Sequence, residues 1–194
     1  MSTDPDLADL TRAVADLTTE VAVLRDWKQI HDVYHRYMWG FDRRDLDVAG
    51  SAFWPDAEIN YAQGTYAGAH RFLVDHFAGH NSITSNSRHL ITPQSIDIDG
   101  DTAHVDAYVT EFSTLRNGRS RIVGGRYVDR LDRRDGEWRI AVREFMPQFF
   151  TETDNNRDTN GMYDDYAGSP YGPGALDRTD VAYIRPLRPR HREE

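Results

Sequence analysis

Five residues in this chain have types and settings that could do chemistry: Tyr37, Asp42, His89, Glu111 and Arg143. His89 sits in SRHLITP, where strand alternation would place it with Ile91 on one side and Arg88 with Leu90 on the other. An imidazole on an apolar face is either a satisfied core histidine or a proton acceptor, and its partner decides which. If Asp42 reaches one ring nitrogen, it selects the tautomer and makes the other nitrogen a general base. Asp42 itself, in WGFDRRD, could equally end a helix while paired with Arg43 or Arg44. Glu111 falls on the same face as Val105, Ala107 and Val109. A carboxylate there is costly unless paired, so its pKa is expected to rise, unless an arginine on a neighbouring strand answers it. Arg143, with Ala141 and Phe145 on its face, could hold an anionic group or a developing oxyanion, or could be a structural salt bridge. Tyr37 lies five residues before Asp42, so the two share a helix face only if the helix loosens near Gly40.

The elements that must position these groups are legible from periodicity. Leu7, Leu10, Val14, Leu17, Val21 and Leu24 recur at alternating steps of 3 and 4, a narrow helical stripe expected to pack on the domain or on a partner subunit. Residues 27–42 read as a second helix, with Ile30, Val33, Tyr34, Tyr37, Met38 and Phe41 on one broad face. A short helix should follow from an Asp45 cap to about Phe53, stopped by Pro55. Next come a strand over 57–62, a helix over 69–80 and four strands at 88–98, 102–115, 119–132 and 137–149. Their tight turns carry Gly. Helices first and an antiparallel meander after them is an α+β pattern. After Phe150 the chain turns rich in Gly, Pro, Asp, Asn and Tyr. Its aromatics, among them Tyr163, Tyr166, Tyr171 and Tyr183, favour a tail that docks. The expected organisation is an amphipathic helix over 1–25, one domain over 26–150 and a tail over 151–194 docked over the cavity mouth or on a neighbouring subunit.

Composition removes several chemistries. There is no Cys among the 194 residues, and of 23 basic residues only Lys28 is lysine, so thiol and Schiff-base routes are remote. A net charge of −9 argues against binding a nucleic-acid backbone. The N-terminus lacks a signal-peptide pattern, and no apolar run approaches the roughly 20 residues that span a bilayer. A cytoplasmic protein with no membrane partner is expected. His31/His35 and His76/His80 have i, i+4 spacing but lack the Glu of HExxH, so no metal is expected. Dinucleotide, P-loop and nucleophile-elbow glycine motifs are also absent from the sequence, and no cofactor is expected.

The segments IHDVYHRYMWGFDRRD, FWPDAEINYAQGTYAG, SRHLITP and GRYVDRLDRRDGEWRIAVRE resemble, in order, those of the SnoaL-like branch of the nuclear transport factor 2-like fold. This branch includes bile acid 7α-dehydratase and lindane dehydrochlorinase, with scytalone dehydratase more distant. The resemblance implies a cone of curved antiparallel sheet packed with N-terminal helices. It also implies a cofactor-independent lyase, most simply a dehydratase, acting on a hydrophobic cyclic, polyketide- or steroid-like small molecule. A double-bond isomerase or cyclase, or a non-catalytic binding module, is the alternative. Asp42 and His89 then match a catalytic dyad in which His89 removes a proton α to a carbonyl. Tyr37 would donate to the enolate or the leaving hydroxyl, and Arg143 would support developing charge. Glu111, Trp39, Phe41, Tyr61, Arg126 and Phe145 are expected to bind substrate. Pro147 stands where the bile acid enzyme carries a further arginine. Relatives assemble through the convex sheet face, so a homo-oligomer is expected, a trimer over a dimer.

Overall fold

The computed structural model describes residues 6–61, 64–154, 175–184 and 186. Its first helix, α1 (Leu7–Asp42), joins both expected helical stretches into one element of 36 residues. No Pro or Gly interrupts the chain between Leu7 and Trp39, so nothing forces a break at residue 25. The half from Ile30 onward buries the predicted face of Ile30, Val33, Tyr34, Tyr37, Met38 and Phe41. Before it, Asp26 accepts from Arg133 and from the Trp138 ring N–H, while the six stripe residues from Leu7 to Leu24 stay exposed.

The helix ends in a close turn. Gly40 lies against α2 (Leu46–Gly50), where an added Cβ would meet the Ala49 backbone nitrogen at 2.4 Å. Asp45 caps α2 as expected, its side chain accepting from the Val48 N–H at 3.1 Å. The helix is shorter than the sequence implies. Strand β1 (Phe53–Tyr61) already contains Pro55, which is tolerated because pairing to the neighbouring strand is irregular between Phe53 and Glu58. Strand β2 (Gly64–Ala67) and α3 (Ala69–Ile83) follow. Four long strands then run β3 (Thr84–Asp99), β4 (Thr102–Leu115), β5 (Ser120–Arg134) and β6 (Glu137–Thr153). The β5–β6 turn has positive φ at both Asp135 (53°) and Gly136 (80°), the geometry that matches strand twist in a two-residue hairpin.

The architecture is α+β, with helices on one face of a curved, unclosed six-stranded sheet in the order β2-β1-β6-β5-β4-β3. The purely antiparallel expectation needs one correction: β1 runs parallel to β6. β1 pairs antiparallel with β2, and β3 to β6 pair antiparallel in succession. β1 reaches the sheet from the helical half of the chain, and a long connection leaves its direction free. Among the described residues, no helix is long and apolar enough to cross a membrane.

Of the tail, residues 175–184 and 186 are described. Arg178 donates to Asp45 at 2.8 and 3.0 Å, and the Tyr183 hydroxyl donates to Asp45 at 2.9 Å. Residues 175–184 therefore dock at the corner between α1 and α2 of their own domain. Tyr163, Tyr166 and Tyr171 lie outside the described residues.

The core holds one charged pair. Arg143 on β6 is fully buried and donates through Nε and Nη2 to both oxygens of Asp129 on β5, at 2.9 and 2.6 Å. The Tyr34 hydroxyl of α1 donates to the same carboxylate at 2.7 Å. Breaking such a pair strands a charge in low dielectric. Asp129→Asn is expected to cost about 3–5 kcal/mol in chemical denaturation, whereas Asp129→Leu combined with Arg143→Met should cost far less. Equal losses in the two proteins would contradict this account.

Candidate active site

Asp42 is the last residue of α1 and is nearly buried. Its carboxylate faces neither Arg43 nor Arg44: Arg43 lies 3.7 Å from Asp180, and Arg44 donates to the carbonyls of Thr84 and Ser85. Instead Asp42 grips His89 on β3 twice, accepting from ring Nδ1 at 2.6 Å and from the backbone N–H at 3.1 Å. A carboxylate only accepts, so Nδ1 carries a hydrogen and Nε2 is the ring nitrogen turned away from Asp42. The second contact matters as much as the first, because it fixes the strand against the helix end and leaves the ring little freedom to turn.

His89 opens on a cavity of about 390 Å³, within the usual range for small-molecule sites. Tyr61, Tyr66, Ile83, Val109, Val123, Tyr127 and Phe145 supply most of its wall, and His76, His80, Glu111 and Arg121 supply polar groups. Tyr61 and Phe145, both expected near substrate, stack with ring centres 4.3 Å apart on the cavity wall. Phe41 lies just behind it, its ring 4.9 Å from that of His80 and 5.1 Å from that of His89.

Glu111 faces the cavity from β4, directly across from His89 in the strand register. Its pKa moves opposite to the expectation. Burial pushes it up, but the His80 hydrogen bond and the charges of His89, His80 and Arg121 outweigh burial and bring it down to about 2. Nε2 of His80 lies 3.1 Å from Oε1, and Arg121 on β5 donates to the same oxygen at 3.1 Å. The neighbouring-strand arginine is thus present. His76, one helical turn before His80, is held neutral by burial and by the nearby charges of His80 and His89, which lower its pKa to about 3.

The other expected site residues lie elsewhere. Tyr37 and Asp42 diverge, because α1 stays helical to its end. The Tyr37 ring packs on Phe53 and Tyr127, at 5.2 and 6.2 Å, behind the cavity wall. Arg143 is likewise behind the wall, bound to Asp129, with its guanidinium 3.8 Å from the centre of the Tyr127 ring. Burial raises the pKa of Tyr127, Tyr37 and Tyr61, and the hydroxyl of Tyr127 interacts with both of the others. Tyr37 and Arg143 therefore reach the cavity only through Tyr127. Trp39 is on the outside of α1, occupied by Tyr183 at 4.7 Å and by Arg43 at 4.5 Å. Arg126 sits across from Tyr108 and Met146 on the opposite face of the sheet, 3.4 Å from Asp106. Neither reaches the cavity.

His80, Arg121 and Tyr127 are the cavity groups that sequence reasoning did not select. The His76/His80 spacing was visible, but with no third ligand in the sequence it marked no site until β3 and β4 fold under α3. His80, His89 and Glu111 turn one ligand atom each to a common point, all within 4.8 Å of one another, a set whose chemistry could hold a divalent ion. Arg121 opposes this by placing a positive charge on the same carboxylate.

Comparison with known proteins follows from this geometry. No curated protein matches the chain significantly. Among solved structures, a hexachlorocyclohexane dehydrochlorinase from Novosphingobium barchaimii is similar with a TM-score of 0.63 at 23% identity, covering 69% of this chain and 94% of that one. A putative scytalone dehydratase from Novosphingobium aromaticivorans gives 0.61 at 20%, covering 67% and 89%. A protein of unknown function from Mycobacterium tuberculosis gives 0.58 at 25%, covering 64% and 77%. These likenesses establish the fold. Residues 22–144, more than half of the chain, match the model of the SnoaL-like domain, and on that match the protein belongs to the SnoaL-like family of the nuclear transport factor 2-like superfamily.

Proposed function

We propose that this protein is a cofactor-independent lyase, a dehydratase acting on a hydrophobic cyclic β-hydroxy carbonyl compound. The observation that carries the reading is Asp42 on Nδ1 of His89 at 2.6 Å, with His89 lining a cavity of aromatic and aliphatic walls. His89 Nε2 removes the proton α to the carbonyl, and Asp42 holds the tautomer and stabilises the imidazolium that forms. Tyr127 and Tyr61 line the cavity. Tyr37 and Arg143 act behind Tyr127 as positioning residues, the guanidinium favouring negative charge on its ring and oxygen. Proton abstraction followed by return at another carbon would make the same dyad a double-bond isomerase.

That the cavity is open rather than filled favours turnover over a purely structural Asp42–His89 pair. The dehydrochlorinase and dehydratase names among the structural neighbours suit an elimination. The outer sheet face exposes Leu90, Tyr108, Phe112, Met146 and Phe149, apolar side chains that an interface would cover. We assign this face to a homo-oligomer, a trimer over a dimer.

Two measurements test these readings. With cyclic β-hydroxy ketones as probes, His89→Ala and Asp42→Asn are expected to stay folded and to lose about 10²–10⁴-fold in turnover. Loss of α-hydrogen exchange into deuterated solvent should accompany it, and an active His89→Ala protein would sink the mechanism. Light scattering should give a multiple of the chain mass that falls to the monomer in a Tyr108→Glu, Phe112→Glu double variant. A monomeric wild type would refute the assembly.

A further inference from the structure

Elimination of water needs a proton for the departing hydroxyl as well as a base for the carbon acid, and neither Tyr37 nor Arg143 lines the cavity. His80 and Glu111 do. The hydrogen bonds around His80 determine where its protons are. The Thr84 hydroxyl has one hydrogen, which it donates to the His80 carbonyl at 2.8 Å. Toward His80 Nδ1, 3.1 Å away, the same oxygen can only accept, so Nδ1 carries a hydrogen. On the other side of the ring, Nε2 faces Glu111 Oε1, an ionised carboxylate oxygen that already accepts from Arg121. Nε2 must therefore carry a hydrogen as well. This pattern of partners suits hydrogens on both ring nitrogens of His80 and on Nδ1 of His89. The two rings stand on one cavity with centres 5.9 Å apart.

Glu111 lies between them. Its Oε1 is on His80, and its Oε2 is 4.0 Å from Nε2 of His89. That gap is too long for a hydrogen bond but admits one oxygen atom at ordinary hydrogen-bond distance from both. A substrate hydroxyl fits the notch, with the cavity's aromatic walls around the rest of the molecule. The charges facing His80 are Glu111 and Arg121 from the sheet, His89 from β3, the neutral His76 from its own helix and Asp75 at the cavity rim. Its proton is held by a carboxylate that Arg121 keeps ionised at rest.

We propose that His80 and Glu111 form the acid arm of the site, with Glu111 the catalytic group that touches the leaving hydroxyl and His80 the positioning residue that supplies its proton. This rests on reading His89 as the base. His89 Nε2 takes the α-proton and the C–O bond breaks with its electron pair going to oxygen. Glu111 takes the proton from His80 Nε2 and, as the neutral acid, passes it to that oxygen, which leaves Glu111 ionised as at the start. The products are an alkene conjugated to the carbonyl, one water, an imidazolium at His89 and a neutral His80. A proton passing from His89 to Glu111 through a water in the notch, and on to His80, restores the starting state.

The charge states are tested without substrate, by long-range ¹H–¹⁵N correlation spectra of the full chain with ¹⁵N-labelled histidine. At neutral pH His80 should show protons on both ring nitrogens and His89 on Nδ1 only, and in Glu111→Gln His80 should fall to a single proton. A neutral His80 in the wild type, or an unchanged His80 in Glu111→Gln, overturns the proposal. For the catalytic role the cyclic β-hydroxy ketone probe is followed against pH. The base must be unprotonated and the acid protonated, so wild-type kcat falls at both ends of the profile. His80→Gln should lower kcat at least tenfold and abolish the fall at high pH while keeping the fall at low pH. A high-pH limb that survives in His80→Gln overturns the acid arm. Wild type that turns over no such ketone overturns the dehydratase reading and the acid step with it, while the spectra still decide whether the pair holds the proton.

Discussion

The buried pair of Arg143 and Asp129 is the constraint around which the domain is arranged. A guanidinium removed from water must have its charge answered on the spot, and Asp129 does so in a two-pronged geometry that only adjacent strands in one register allow. Tyr34 completes the carboxylate from α1, which ties the helix layer to the sheet at the same point. The remaining guanidinium surface is covered by rings. Tyr127, Tyr37, Phe53 and Tyr34 have centres between 3.8 and 5.9 Å from its central carbon. The result is a rigid aromatic block, and one face of that block is the back wall of the cavity.

In front of the wall the electrostatics are arranged differently. Asp42 and Glu111 are both nearly buried, and each is answered by histidine rather than by a fixed cation alone. Histidine can give up or take on its charge near neutral pH, so these pairs can exchange protons where Arg143–Asp129 cannot. A permanent ion pair at the centre stabilises the fold, and the titratable pairs stand where a small molecule can reach them. The two functions are separated by the single layer of Tyr127 and Tyr61. Arg143 and Tyr37, although close to the cavity, therefore lie behind its wall.

Much of the fold was legible because its signals are local. The broad face of α1, the cap at Asp45 and the long hairpins with glycine turns follow from residues within one or two turns of chain. The alternation on β4 likewise placed Glu111 inward. Three features were not local. The single long helix depends on the absence of a break between two stripes with different burial. The parallel pairing of β1 with β6 joins segments some eighty residues apart. Pro55 in a strand depends on an irregular register with a partner that the local pattern does not reveal. Trp39 and Arg126 show the same limit at the level of side chains. Both are attractive ligand-binding types, yet Trp39 faces the docked tail and Arg126 points out of the opposite face of the sheet.

Taken by itself, the sequence determined the residue types available for chemistry, the α+β class, and that His89 and Glu111 lie on inward faces of their strands. These follow from composition and from periods of two and 3.6 residues, which act over short distances along the chain. Only the tertiary structure decided which charge answers which. Asp42 could have paired with the arginines beside it but binds His89. Arg143 could have faced a ligand but binds Asp129. His80, unremarkable on its own helix, completes Glu111. Pairing energies fall off within a few ångströms, so the choice among partners is made by register, helix packing and strand curvature, which bring together residues that the chain itself keeps far apart.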